Sequence, residues 1–249
     1  PATGLTPMAK AKTKSAYVFD DCGAEHGKWQ GQCGTCSAWN TLSRVNITPV
    51  SSAAVGYAGV TAEVKKLSDI EAVDAERIGT GFTELDRVLG GGFVPGSVVL
   101  IGGDPGAGKS TLLLQASTAL AQHHGVLYVT GEESLQQLAL RAQRLQLPMD
   151  GLSVAAETRA EVIANLVQTQ RPKIVILDSI QVMQMESVDS TPGSVAQVRE
   201  TASFFTRLAK QQDIVIVLVG HITKEDGIAG PKVLEHMIDC FMMLDNPAG

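Results

Sequence analysis

Eight consecutive residues, Gly103-Asp-Pro-Gly-Ala-Gly-Lys-Ser110, satisfy the pattern G-x-x-x-x-G-K-[ST]. They follow an apolar, β-branched run, Val98-Val-Leu-Ile101, and precede a helical pattern from Lys109 to Gln122. A strand before and a helix after is the context this pattern needs to cradle phosphate. Gly106 and Gly108 let backbone amides close around phosphate oxygens, and the helix N-terminus adds its positive end. Lys109 reaches the β- and γ-phosphates, and the Ser110 hydroxyl suits Mg²⁺. The expected nucleotide contacts are Gly103, Asp104, Pro105, Gly106, Ala107, Gly108, Lys109, Ser110 and Thr111.

Other residues supply the rest of such a site. The run Ile174-Val-Ile-Leu177 ends in Asp178, a carboxylate at the tip of a buried strand. It would hold the Mg²⁺ shell opposite Ser110; its structural alternative is an N-cap for the segment that follows. The run Val126-Leu-Tyr-Val129 leads into Thr130-Gly-Glu-Glu-Ser134. An acid there could polarise the water that attacks a γ-phosphate. Glu132 is preferred and Glu133 is its rival, and both acids also suit the N-terminus of the next helix. After Ile214-Val-Ile-Val-Leu-Val219, the residues Gly220-His221 place an imidazole at a strand end, either as a γ-phosphate sensor or as a structural histidine. With Lys109, Glu132 and His221 form the expected catalytic set.

The elements that position these residues alternate regularly. Leu135 to Leu145 reads as a helix stopped by Pro148, Thr158 to Gln170 as another stopped by Pro172, and Val195 to Gln211 as a long amphipathic helix. A strand is also expected around Cys240. Continuous apolar strands separated by helices imply an α/β fold with a mainly parallel central sheet covered on both faces. Ligands in such sheets sit at the carboxyl ends of the strands, which is where every candidate above falls.

Three of the four cysteines, Cys22, Cys33 and Cys36, lie in one short stretch, with Cys240 far away. This clustering points to a local metal site or its remnant rather than a disulfide framework. Residues 1–7 read as the remnant of an expression tag before Met8, residues 8–44 as a small zinc-finger-like module, 45–76 as a linker with one short strand, and 77–249 as the main domain. The net charge of −6 is uneven. The first fifty residues carry five basic and three acidic side chains, a net of +2, so the remainder is −8. An acidic total does not exclude nucleic acid, because phosphate binding depends on local Lys and Arg placement. Neither an apolar run of membrane-spanning length nor a signal peptide is evident, so a cytoplasmic location is expected.

The stretch Ile78-Gly-Thr-Gly-Phe-Thr-Glu-Leu-Asp-Arg-Val-Leu-Gly-Gly-Gly-Phe-Val-Pro-Gly96, leading into the phosphate loop, resembles the entry to RecA-like ATPases. Further motifs are Pro192-Gly-Ser-Val-Ala-Gln-Val-Arg-Glu200, Gly220-His-Ile-Thr-Lys-Glu225, Ile228-Ala-Gly-Pro-Lys-Val-Leu-Glu-His-Met237 and Lys28-Trp-Gln-Gly-Gln-Cys-Gly-Thr-Cys36. Together they closely resemble the bacterial RadA/Sms family, from Met8 to the end. The resemblance implies a RecA-like P-loop ATPase core preceded by a zinc-ribbon-like module. It also implies a DNA-dependent ATPase, a hexameric ring motor that uses ATP and Mg²⁺ and promotes branch migration in recombinational DNA repair, working with single-stranded or branched DNA and a recombinase.

The family's DNA loops map to about Glu186–Ser194 and Lys224–Lys232, with Lys224 and Lys232 as phosphate contacts. Arg199 and Arg207 read instead as the wet face of the long helix. Two departures stand out. The family's zinc module has two Cys-x-x-Cys pairs, but here Phe19 occupies the leading position of the first pair, leaving Cys22, Cys33 and Cys36. Closure of the site then needs Asp20, Asp21, His26 or water as fourth ligand, and weakened zinc binding is expected. The family's Lys-Asn-Arg-Phe-Gly motif and Lon-like domain are absent before Gly249, so a truncated chain is expected that binds nucleotide, hydrolyses it poorly and assembles incompletely.

Overall fold

A computed structural model describes residues 14–19, 25–26, 28–39, 42–47, 66–69, 76–221, 234 and 236–245. At the N-terminus, β1 (Lys14–Phe19), β2 (Glu25–His26) and β3 (Leu42–Ile47) form an antiparallel sheet in the order β2-β1-β3. The main domain then runs α1 (Thr83–Val88), β4 (Val98–Gly102), α2 (Lys109–Leu120), β5 (Val126–Thr130), α3 (Leu135–Arg144), β6 (Leu152–Ala156) and α4 (Ala160–Gln170). It continues with β7 (Ile174–Asp178), a 3₁₀ turn at Ile180–Val182, α5 (Val195–Gln212), β8 (Val215–Val219) and β9 (Cys240–Met243).

Four strands are apolar along nearly their whole length: VVLIG, VLYVT, IVILD and VIVLV. Every residue in them is buried, because β-branched side chains suit the pleated backbone and helices cover both faces. They occupy the middle of a six-stranded sheet in the order β6-β5-β7-β8-β4-β9, in which all pairings are parallel. The two-residue alternation of a strand sorts its side chains between two cores. Val98, Leu100, Val175 and Leu177 pack with Ile163 and Val167 of α4 and Phe205 and Leu208 of α5. Val99, Ile101, Ile174 and Ile176 pack with Leu113 and Leu114 of α2 and Leu138 of α3.

Two features differ from the sequence expectation for physical reasons. Strand β6 reads LSVAA and is partly exposed at the sheet edge, so no apolar run announces it; its parallel pairing with β5, Leu152 opposite Val126, creates it. Helix α4 starts at Ala160 rather than Thr158 because the Glu157 carboxylate accepts hydrogen bonds from the Thr158 and Arg159 amides at 2.9 and 3.0 Å. That carboxylate satisfies amides a helix would otherwise leave unpaired. Cys240 lies in the expected strand but at the edge, only partly buried. Of the expected linker, Leu67–Asp69 forms a 3₁₀ turn and most of the remainder lies outside the described residues. Among the described residues, no helix is long and apolar enough to cross a membrane.

Candidate nucleotide site

The loop from Gly103 to Gly108 leaves β4 and turns into α2. Gly108 is the N-cap of α2 and sits at φ 90°, a left-handed conformation that a residue with a side chain adopts only under strain. This lets the loop amides curl over the helix N-terminus. Lys109, in the first turn, is only 3% exposed. Its Nζ donates to the carbonyls of Gly103 at 2.6 Å and Asp104 at 2.7 Å, which leaves one of its three N–H donors for a further oxygen. Burial pushes the Lys109 amine below its ordinary value, opposed by the charges of Asp178, Asp104 and Glu132. Gly106, Gly108, Lys109, Ser110, Thr111, Arg141 and His221 line a cavity of about 240 Å³ over this loop.

The neighbouring strands bring the acids. Asp178 ends β7 opposite Thr130 of β5 and is 6% exposed. Its Oδ2 accepts a hydrogen bond of 2.6 Å from the Tyr128 hydroxyl. Its Oδ1 is buried with no hydrogen-bond partner among the described residues. An orphaned buried carboxylate oxygen is costly unless a cation or water meets it, so the donor set of Asp178 and the Ser110 hydroxyl fits a hard divalent ion with oxygen ligands. Tyr128 is fully buried, and burial, followed by the nearby Asp178 charge, pushes its phenol well above its ordinary value. It is therefore a donor at any physiological pH.

The geometry separates the two adjacent glutamates. The Thr130 hydroxyl accepts from the amides of Glu132 at 3.3 Å and Glu133 at 2.9 Å, holding the turn. The Gly131 amide donates to the Asp178 carbonyl at 2.8 Å, and a Cβ on Gly131 would overlap the Val182 side chain. From this turn Glu132 reaches the Ser179 hydroxyl, which donates to its Oε1, and the His221 Nε2, 3.2 Å from the same oxygen. Glu133 instead makes an ion pair of 3.0 Å with Arg141. Arg141 escaped the sequence reading. The available signal was its place beside Leu138 and Ala142 on the buried face of α3, where a charge requires a partner.

The expected DNA contacts are only partly placed. Residues 186–194 are tied down by Gln197, whose side chain is 2% exposed. Its Oε1 accepts from the Met185 amide at 3.0 Å, and its Nε2 donates to the carbonyls of Val188 at 3.0 Å and Ser190 at 3.1 Å. Lys224 and Lys232 lie outside the described residues. On α5, Arg207 donates to the Ser203 hydroxyl at 2.7 Å and Arg199 lies 3.5 Å from Glu200, so neither stands apart as a simple solvated charge.

Residues 63–227 match the family model described as "AAA domain". A curated relative from Haemophilus influenzae is 55% identical over 97% of this chain and 54% of its own length. One from Escherichia coli is 56% identical over the same shares, and one from Bacillus subtilis is 45% identical over 94% of this chain and 52% of its own. All three are named DNA repair protein RadA. The chain belongs to the AAA domain family and, within it, to the RadA group. It spans about half the length of the curated relatives it matches.

Residues 17–44 match a second model, "Rubredoxin metal binding domain", and the described part of this segment includes a tight turn around its two cysteines. The Cys33 amide donates to the Ala38 carbonyl at 2.9 Å and the Ser37 amide to the Cys33 carbonyl at 2.9 Å, closing a tight knuckle. The Thr35 amide donates toward the Cys33 sulfur at 3.4 Å. Cys33 is buried and Cys36 exposed, while Cys22 lies outside the described residues. Phe19, which occupies the position expected from the sequence to hold the first of four cysteines, is fully buried. A phenyl ring offers no donor, so the four-cysteine zinc set does not fit this ribbon. No cluster of three or more metal-binding side chains occurs among the described residues.

Proposed function

We propose that this chain carries the ATP-hydrolysing motor of a DNA repair protein. The observation that carries the reading is the hold on Glu132, whose carboxylate meets the Ser179 hydroxyl and the imidazole of His221, a residue that lines the cavity together with Lys109 and Ser110. A carboxylate fixed in this way accepts a proton from water as the water oxygen bonds to the γ-phosphorus. The bond from that phosphorus to the β–γ bridging oxygen breaks, and ADP and phosphate leave. Lys109 takes up the charge that develops on the phosphate oxygens. Asp178 and Ser110 would hold Mg²⁺, which neutralises phosphate charge when bound. His221 touches the same carboxylate and begins the segment leading to Lys224 and Lys232, so loss of the γ-phosphate is felt where DNA would be held.

The printed name of the relatives supports the repair context. Within this reading the protein works as a hexameric ring with nucleotide between subunits. It is stimulated by single-stranded or branched DNA, drives branch migration alongside a recombinase, and acts in the cytoplasm. Glu132→Gln is expected to lower ATP turnover by about 10²–10⁴-fold while nucleotide binding persists. Wild-type turnover in that variant would refute the reading. Turnover lost with branch migration intact would instead mark a nucleotide-gated DNA-binding scaffold, in which hydrolysis is incidental.

A further inference from the structure

The geometry points to Tyr128 as the positioning residue that decides which oxygen of Asp178 meets the divalent cation. This rests on the reading of Asp178 as the acid of the metal site. Tyr128 lies in β5 opposite Ile176 of β7, and Asp178 is two residues further along β7. Side chains two apart share a face of the sheet, so Asp178 continues the row of Ile174 and Ile176, and Tyr128 continues that of Val126. Val126, Tyr128, Ile174 and Ile176 all belong to the core that α2 covers, so phenol and carboxylate share the side of the sheet from which the phosphate loop rises.

The inner strands are otherwise aliphatic up to their tips, reading VVLIG, VLYVT, IVILD and VIVLV. A fully buried tyrosine there is costly unless its hydroxyl finds a partner, and the partner it has is Asp178 Oδ2, at 2.6 Å. A carboxylate at a strand tip can turn about its own axis. With Oδ2 engaged from beneath, that turn is blocked, and the oxygen left buried and unpartnered among the described residues is Oδ1. Groups that orient a metal ligand from behind typically change metal affinity or activity by about 10–100-fold when removed.

The test measures Mn²⁺ affinity in the presence of ADP by electron paramagnetic resonance, on wild type, Tyr128→Phe, Asp178→Asn and the double variant. Tyr128→Phe is expected to weaken Mn²⁺ by about tenfold with ADP binding in EDTA unchanged, and to add nothing once Asp178 is asparagine. Wild-type Mn²⁺ affinity in Tyr128→Phe, with loss in Asp178→Asn, overturns the role of Tyr128 alone. Wild-type affinity in Asp178→Asn overturns the metal-site reading beneath it. Should Tyr128→Phe fail to fold, 3-fluorotyrosine placed at position 128 provides the readout. Its ¹⁹F signal must shift between ADP and Mg·ADP, and an unmoved signal overturns the proposal.

Discussion

The phosphate cleft and the cysteine knuckle are both cation sites by motif, yet they are built on opposite principles. The knuckle is local: Cys33 and Cys36 sit in one turn, and the backbone bonds that shape it span no more than five residues. A structural metal site depends on each ligand position being filled, and Phe19 stands where the sequence reading expects a donor. The cleft draws its parts from the ends of β4, β5, β7 and β8, from Gly103 to His221 along the chain, and its charged side chains have second groups behind them. Lys109 is held by loop carbonyls, Asp178 by Tyr128, Glu132 by Ser179 and His221, and Glu133 by Arg141. A site held by the sheet keeps its geometry through many supports, whereas a turn-built site fails with one ligand.

The contrast is broken or sharpened most strongly at Lys109. Lys109→Ala removes the buried ammonium from the loop and is expected to weaken nucleotide binding by about 100-fold or more, the cost of losing a buried charge-assisted contact to phosphate. Titration with a fluorescent ADP analogue checks this, and unchanged affinity would mean that the cleft is not the nucleotide site. At the knuckle, Phe19→Cys restores a four-sulfur set. Purified wild-type chain is expected to hold well under one zinc per chain by mass-spectrometric metal analysis, and the variant close to one. Equal zinc in both would show that another group completes the ribbon.

Smaller effects probe the supports of the cleft. Gly131→Ala places a methyl group against Val182 and is expected to cost about 1–3 kcal/mol of stability, the usual range for overpacking, measured by urea unfolding. It should also slow ATP turnover, because Glu132 follows directly. The smallest effect is expected at Glu157, outside the cleft. Hydrogen bonds and the charge of Arg159, chiefly its side chain, hold this carboxyl at about 2, well below its ordinary 4.5. A depressed carboxyl stabilises the fold above its unfolded value and loses that contribution as pH falls through the folded one. Glu157→Gln should therefore cost about 1–2 kcal/mol at neutral pH, with the difference from wild type shrinking below pH 4.5 and vanishing near pH 2. A pH-independent difference would assign the effect to packing.

Much of the cleft was legible in the sequence because its parts are short local patterns. The phosphate loop, the acid at the end of IVILD and the Glu-Glu pair after VLYVT each stand where a buried run stops, and a buried run is readable without knowing its neighbours. The preference for Glu132 over its rival Glu133 had little local support, since adjacent residues in a turn have the same local surroundings. Ser179, His221 and Arg141, delivered by β7, β8 and α3, make the distinction. Strand β6 and the late start of α4 were hidden for the same reason, one made by pairing with β5 and the other by a capping carboxylate.

The sequence by itself determined that the chain carries a phosphate loop in a parallel α/β sheet and a local cluster of three cysteines, because both follow from residue type at fixed spacing; that Phe19 stands in place of a fourth cysteine follows from the family resemblance. Only the tertiary structure decided which oxygen of Asp178 is open, which glutamate meets Ser179 and His221, and which is paired with Arg141. Those choices depend on register between strands distant in the chain, where a hydrogen bond such as that from Tyr128 to Asp178 joins residues fifty positions apart.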